Sequence, residues 1–374
     1  MLLARVQVLH MALAALLLLL AASAVAAPQV SGVPTVFGFA SSMLWDRDSC
    51  MSAFVLGRQL WTCRDSLGKY TFLSSSSSWA DFNSDGSPII QNFAWNLYGN
   101  QSTTDAYFTP PDGYGGTRAG ERQDFTRYAF WPSSRPLVVS DGGAVKMYTW
   151  IAKTHVTLLL YNLQLNPGGA LYRADYAPQG DDYETLPEVS IVDQDFWAEE
   201  AILYGEYGHI VVNDTAYLYG RLNGTAGTAL AKVPVSQIED RSAYRYYYAE
   251  GWSDTPPSIF DLDGAAAIPH AGTGGQGTFF WSDHFQAYTW IGGNVYASGD
   301  PGFYISTAPA PEGPWTEPSQ FYQGEKGTAR WGAYTMQAHP DMSPKGETIL
   351  SYTKADLVLG AAHYTHPLIR VKWA

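Results

Sequence analysis

The stretch Asp48-Ser49-Cys50-Met51-Ser52-Ala53-Phe54-Val55-Leu56-Gly57-Arg58-Gln59-Leu60-Trp61-Thr62-Cys63-Arg64-Asp65 reads as a β-hairpin turning at Leu56-Gly57. Cys50 then stands opposite Cys63, and Asp48 opposite Asp65. Side chains alternate with period two, so both pairs share one face. Like charges directly opposite each other destabilise a sheet. An acid pair in that register therefore needs a reason, and the reading that follows is chemistry on a sugar.

The chain opens as an export signal, expected over 1–27. Arg5 is followed by an apolar run over 11–22 and by the small residues Ala24-Val25-Ala26-Ala27. That run is short for a membrane span, which needs roughly 20 residues. A secreted chain with two cysteines implies one disulfide, Cys50 with Cys63, that staples the hairpin. Three acceptor triplets, at Asn100, Asn213 and Asn223, predict N-glycosylation. The net charge of −13 argues against nucleic acid and against anionic membrane. Thirteen Trp and 25 Tyr suit stacking on sugar rings, and they suit an all-β core equally well.

Short alternating runs broken by Gly, Pro, Asn and Asp dominate the remaining sequence. Pairs of runs fall at 53–56 with 60–63, 145–151 with 157–163, 210–212 with 216–219, 277–281 with 287–291, and 348–352 with 369–373. The layout recurs in units beginning near Trp45, Phe125, Ala198, Gly277 and Trp331. Spacings of roughly 45 to 80 residues suit propeller blades of four strands. The last unit is short of a strand, which residues 35–39 supply beside 368–373. The serine run 74–78 reads as an inter-strand loop. The expectation is a single all-β domain over 28–374, a five-bladed β-propeller.

The block from Asp46-Arg47-Asp48-Ser49 through Leu56-Gly57-Arg58-Gln59-Leu60-Trp61-Thr62-Cys63-Arg64-Asp65-Ser66 resembles the first blade of domain-of-unknown-function family 4185. Weaker echoes follow at Val212-Asn213-Asp214-Thr215, at Gly313-Pro314-Trp315 and at Ala338-His339-Pro340. That family is similar to five-bladed glycosidases and includes endo-acting D-arabinanases. The resemblance implies catalysis by the two first-blade aspartates, which here are Asp48 and Asp65. Arg64 stands where the family carries glycine, so a side chain would narrow the pocket or pair with the acid.

Glycoside hydrolysis uses one protonated and one ionised carboxyl group. Cross-strand neighbours approach the ~5–5.5 Å separation of retaining enzymes, and either aspartate would serve as acid/base with the other as nucleophile. Glu200 is a supporting candidate because an acid entering an apolar strand is costly unless used; Asp124 and Asp283 stand behind it. Trp45, Trp131, Trp197, Trp281 and Trp331 open the five units and would line a shared pocket with Arg135. No zinc spacing, phosphate loop or serine-hydrolase elbow is present, so neither a metal nor another cofactor is expected. The expected protein is a secreted monomer cleaving an arabinan-like, furanose-containing polysaccharide. The rival is a catalytically silent, lectin-like glycan binder.

Overall fold

The computed structural model describes residues 27–115, 120–178, 183–222, 227–260, 264–294 and 299–374. All of the expected export segment except Ala27 lies outside these residues, and so does Asn223.

The hairpin forms in the expected register. Strand Cys50–Val55 pairs with Arg58–Cys63, from Cys50 opposite Cys63 to Val55 opposite Arg58. Leu56 and Gly57 both have positive φ, 45° and 89°, the turn whose twist matches two antiparallel strands. The disulfide joins Cys50 to Cys63.

A third strand, Ser76–Ala80, pairs with Arg58–Cys63, so most of the serine run is strand rather than loop. No apolar alternation announces it. Its hydroxyls replace that signal: Ser77 Oγ donates to the Trp61 carbonyl at 2.9 Å, Ser66 and Ser76 share a bond of 2.6 Å, and Ser78 Oγ accepts from Arg47 at 2.7 Å. Buried polar groups are tolerable when paired in this way.

Four further antiparallel meanders follow. One runs Leu137–Asp141, Ala144–Ala152, Gly169–Tyr176, Glu188–Trp197. The next runs Gly208–Val212, Thr215–Arg221, Thr228–Pro234, Arg245–Tyr248, Gly251–Ser253. Then come Gly274–Ser282, Ala287–Asn294, Gly302–Ala308, Ser319–Gln323, and finally Ala333–Ala338, Glu347–Val358, Ala361–Lys372. Thr35–Ser41 adds beside Ala361–Lys372, with Thr35 opposite Arg370, so the two ends of the chain share a sheet as expected. One expected pairing fails. Residues 157–163 do not continue the second meander, because Thr154–Thr157 turns away to pair with Thr126–Ala129. Leu159, Tyr161 and Leu163 beyond it are exposed.

Apolar clusters fill the spaces between sheets. Leu60 and Trp79 meet Val145 and Met147; Trp150 meets Leu218; Tyr219 meets Phe279 and Trp290; Phe303 meets Leu350; Leu368 meets Trp61 and closes the circuit. Trp61, Trp79, Trp150 and Trp290 are wholly buried, and trimming any one to alanine would cost about 3–5 kcal/mol. The opening strands touch one another: Cys50–Val55 against Leu137–Asp141, and Gly274–Ser282 against both Gly208–Val212 and Ala333–Ala338. This is an all-β, propeller-like arrangement whose first strands surround a common axis.

Candidate active site

Residues at or just ahead of these first strands line a cavity of about 360 Å³. Arg64, Trp131, Ser133, Glu206, Gln276 and Tyr334 form its working wall. Trp131 and Ser133 share one loop and the other four come from separate segments, which is how a propeller gathers side chains from distant sequence.

Asp48 sits at this end, two residues ahead of Cys50. The hairpin register persists beyond the disulfide, since Asp48 N–H donates to the Asp65 carbonyl at 2.7 Å. Burial and then the negative charge of Asp65 push the Asp48 carboxyl up to about 6, against bonds from Ser49 and Tyr334 and the charge of Arg64. Ser49 Oγ lies 2.7 Å from Asp48 Oδ1. Tyr334 is raised in turn by its own burial and by Asp48, so its hydroxyl stays protonated and able to donate.

Asp65 is differently placed. Both its oxygens are taken by Arg127, and Trp131 Nε1 donates to Oδ1 at 2.8 Å. A carboxylate so occupied is a fixed negative charge and a poor free nucleophile. The two aspartates are neighbours, as the hairpin required, but their environments differ.

The cavity wall itself carries the carboxyls of Glu206 and Asp300, and Glu206, beside Arg64, is one the sequence reading missed. Arg221 Nη2 reaches both its oxygens, at 2.6 and 2.8 Å. Burial pushes the Glu206 carboxyl up, but the Arg221 charge, a bond from Ser133, the Arg221 bonds and Arg64 outweigh it, leaving it below the ordinary glutamate range. Gly205 (φ 88°) turns the chain just ahead of it, and a Cβ there would lie 2.4 Å from the Trp150 ring. Glu206 precedes Gly208–Val212 by two residues, as Asp48 precedes Cys50–Val55, and that offset was the available signal.

Arg64 bridges the site. Its Nε donates to the Pro132 carbonyl and its Nη2 to Ser133 Oγ, both at 2.8 Å, and it is charge-coupled to both Asp48 and Glu206. Arg64, expected to narrow the pocket or pair with the acid, is thus part of the wall.

Other expected residues lie elsewhere. Glu200 is exposed in a turn at φ 60°, its N–H donating to the Asn166 carbonyl. The apolar residues after it do not form the first strand, which starts at Gly208, so Glu200 is not an inner acid. Asp124 and Asp283 are exposed; Asp124 accepts from Thr126, and Asp283 from Trp281 Nε1. Among the tryptophans, Trp131 alone lines the cavity with Glu206. Trp197 is buried in the core, donating to the Tyr204 carbonyl. Trp45 borders a separate cavity with Asp46 and His363. Trp331 is exposed and stacks with Arg330. Arg135 and Trp281 belong to a cavity of about 460 Å³ at the far ends of the first strands, where Arg135 pairs with Asp341 at 2.7 Å. Asn100 and Asn213 are exposed. Among the described residues no cluster of three or more His, Cys, Asp or Glu could hold a metal ion.

The family model that matches is described as a domain of unknown function, DUF5005, over residues 182–366. Glu206, Gln276 and Tyr334 fall inside that span; Asp48 falls outside. The likeness to family 4185 and to endo-D-arabinanases has no counterpart in this match. No curated protein matches the chain. Among solved structures, a Bacteroides ovatus protein assigned as a hydrolase superposes with a TM-score of 0.63 at 16% identity, covering 89% of this chain and 87% of that one. It establishes the shared fold. A GH43_1 enzyme from Xanthomonas citri complexed with xylose gives 0.48 at 13% identity, covering 91% and 90%. An exo-beta-1,3-galactanase from Phanerochaete chrysosporium bound to beta-1,3-galactotriose gives 0.43 at 11% identity, covering 90% and 64%.

Proposed function

We propose that the chain is a secreted glycoside hydrolase, a monomer built as one five-bladed propeller over 28–374, that cleaves a furanose-containing polysaccharide. Asp48 is the proton donor, Glu206 the ionised carboxylate, and Asp65 the fixed charge that keeps the Asp48 proton in place. One observation carries this reading: two carboxyls that share Arg64 as a charged neighbour, Glu206 on the cavity wall and Asp48 behind Tyr334 and Arg64, are pushed in opposite directions, Asp48 up and Glu206 down. Such a split assigns acid and base roles in carboxylate-pair hydrolases. Trp131 and Arg64 give the sugar an aromatic face and a hydrogen-bonding edge. The arabinan-like substrate follows from the first-blade resemblance. Asn100 and Asn213, both exposed, carry the glycans of an exported chain.

The rival reading, a silent glycan binder, draws on the arginine that grips each of Asp65 and Glu206. Screening the purified protein against arabinan, arabinogalactan and fungal-wall glucan separates the two. A hydrolase releases new reducing ends from at least one polymer and Asp48→Asn does not; retention of a polymer without cleavage supports the binder.

A further inference from the structure

A chain of side-chain hydrogen bonds leads away from Asp48 that the hydrolytic step does not itself require. Ser49 Oγ contacts both Asp48 Oδ1, at 2.7 Å, and Thr335 Oγ1, at 2.8 Å. Thr335 Oγ1 in turn lies 2.7 Å from Gln276 Oε1, to which it donates. Ser49 and Thr335 are buried and both adopt left-handed backbone, φ 47° and 54°. That conformation is costly for a β-branched residue. Thr335 sits at a register irregularity in Ala333–Ala338, which aims its hydroxyl at this chain.

Each hydroxyl has a single proton, so the direction of the chain can be counted. With Asp48 ionised, Ser49 donates to the carboxylate, Thr335 must donate to Ser49, and Gln276 Oε1 receives nothing. With Asp48 protonated, Asp48 donates to Ser49, Ser49 to Thr335 and Thr335 to Gln276, and every contact is a hydrogen bond. The Oε1 contact belongs to the second pattern, whereas a Ser49 bond donated to ionised Asp48, which by itself draws the carboxyl down, belongs to the first; the three contacts are all hydrogen bonds only with Asp48 protonated or with the Gln276 amide turned over. Gln276 Nε2, buried at the cavity wall, has no partner among the described residues. Turned over, the amide would supply the donor that the first pattern lacks.

We propose that Ser49, Thr335 and Gln276 form a directional relay that holds the proton on Asp48 and turns the Gln276 amide over when that proton leaves. The proposal takes its purpose from the hydrolase reading. As glycoside cleavage proceeds, the Asp48 O–H bond breaks and an O–H bond forms on the departing oxygen. No proton crosses the relay. The Ser49 and Thr335 hydroxyls rotate toward Asp48, Gln276 Nε2–H donates to Thr335, and Oε1 is freed to accept from a substrate hydroxyl. Ser49, Thr335 and Gln276 are thus positioning residues. The ionisable groups facing Asp48 are Asp65, Arg64, Tyr334 and Tyr364, and the relay variants leave all four in place.

The test titrates Asp48 itself, by the carboxyl 13C shift of labelled aspartate, with Asp48→Asn identifying the signal. In Thr335→Val, protonated Asp48 leaves the Ser49 proton without an acceptor, whereas ionised Asp48 still receives it. Gln276→Met does the same to Thr335. Both variants should lower the Asp48 midpoint by about one pH unit. Loss of a polar group acting only through burial would move the midpoint upward. An unchanged or raised midpoint in folded Thr335→Val or Gln276→Met overturns the relay. If Thr335→Val does not fold, Gln276→Met decides alone. No substrate enters the measurement, so failure to cleave any glycan would sink the hydrolase reading and leave the relay standing.

Discussion

The two ends of the first strands carry the same kinds of residue and treat them in opposite ways. At the far ends, Arg135 is matched by Asp341, and buried His209 is held neutral, lowered to about 3 by burial first and then by Arg135. Charges there are paired or suppressed. At the near ends, Asp48 keeps a proton at a pH where aspartate ordinarily has none, and Glu206 remains ionised despite burial. Stability alone favours the first arrangement. The second is costly, and perturbed groups in a cleft are where chemistry is to be sought.

The sharpest way to break this contrast is to neutralise each end in turn. Glu206→Gln should cut polysaccharide cleavage by about 10³-fold and Asp48→Asn by about 10²–10⁴-fold, measured as initial rates of reducing-end release. The near end should also lose stability when its fixed charge loses its partner. Arg127→Met leaves buried Asp65 uncompensated, and chemical denaturation should show a loss of about 3–5 kcal/mol.

Next come two pH effects of opposite sign. The folded-state value for Asp48, about 6, lies above the ordinary aspartate value of 3.8, so its contribution to stability is full below about 4 and is lost as pH rises through 6. Asp48→Asn should therefore stabilise the protein at pH 7 by up to about 3 kcal/mol, a gain that vanishes near pH 4. His209 behaves in reverse: its folded value lies below 6.5, so stability is present above pH 6.5 and falls as pH drops toward 3. His209→Gln should flatten that acid limb in urea titrations. The smallest effect belongs to the far end: Arg135→Ala and Trp281→Ala should change cleavage rates by less than about three-fold.

Much of this was legible in sequence, for identifiable reasons. The hairpin was readable because a glycine turn, two apolar runs and the only cysteine pair all fix one register. The pairing of the chain ends was readable because the last unit lacked a strand. Glu206 was not, because the apolar residues after Glu200 imitate a strand and shift the unit several residues early. Ser76–Ala80 escaped notice because hydrogen bonds rather than apolar burial hold it. The tryptophans misled most. Their spacing suggested sheet openings, yet Trp197 ends the last strand of its meander and faces the core, and Trp281 lies near the end of Gly274–Ser282 at the opposite cavity, since position along a strand, not residue type, decides which end a side chain serves.

A single pH titration following the carboxyl 13C signals of Asp48 and Glu206 together tests the division of labour most directly. Asp48 should change near pH 6, with Glu206 already ionised well below it. Coincident titration in the ordinary carboxylate range, or Glu206 holding its proton longer than Asp48, would contradict the assignment.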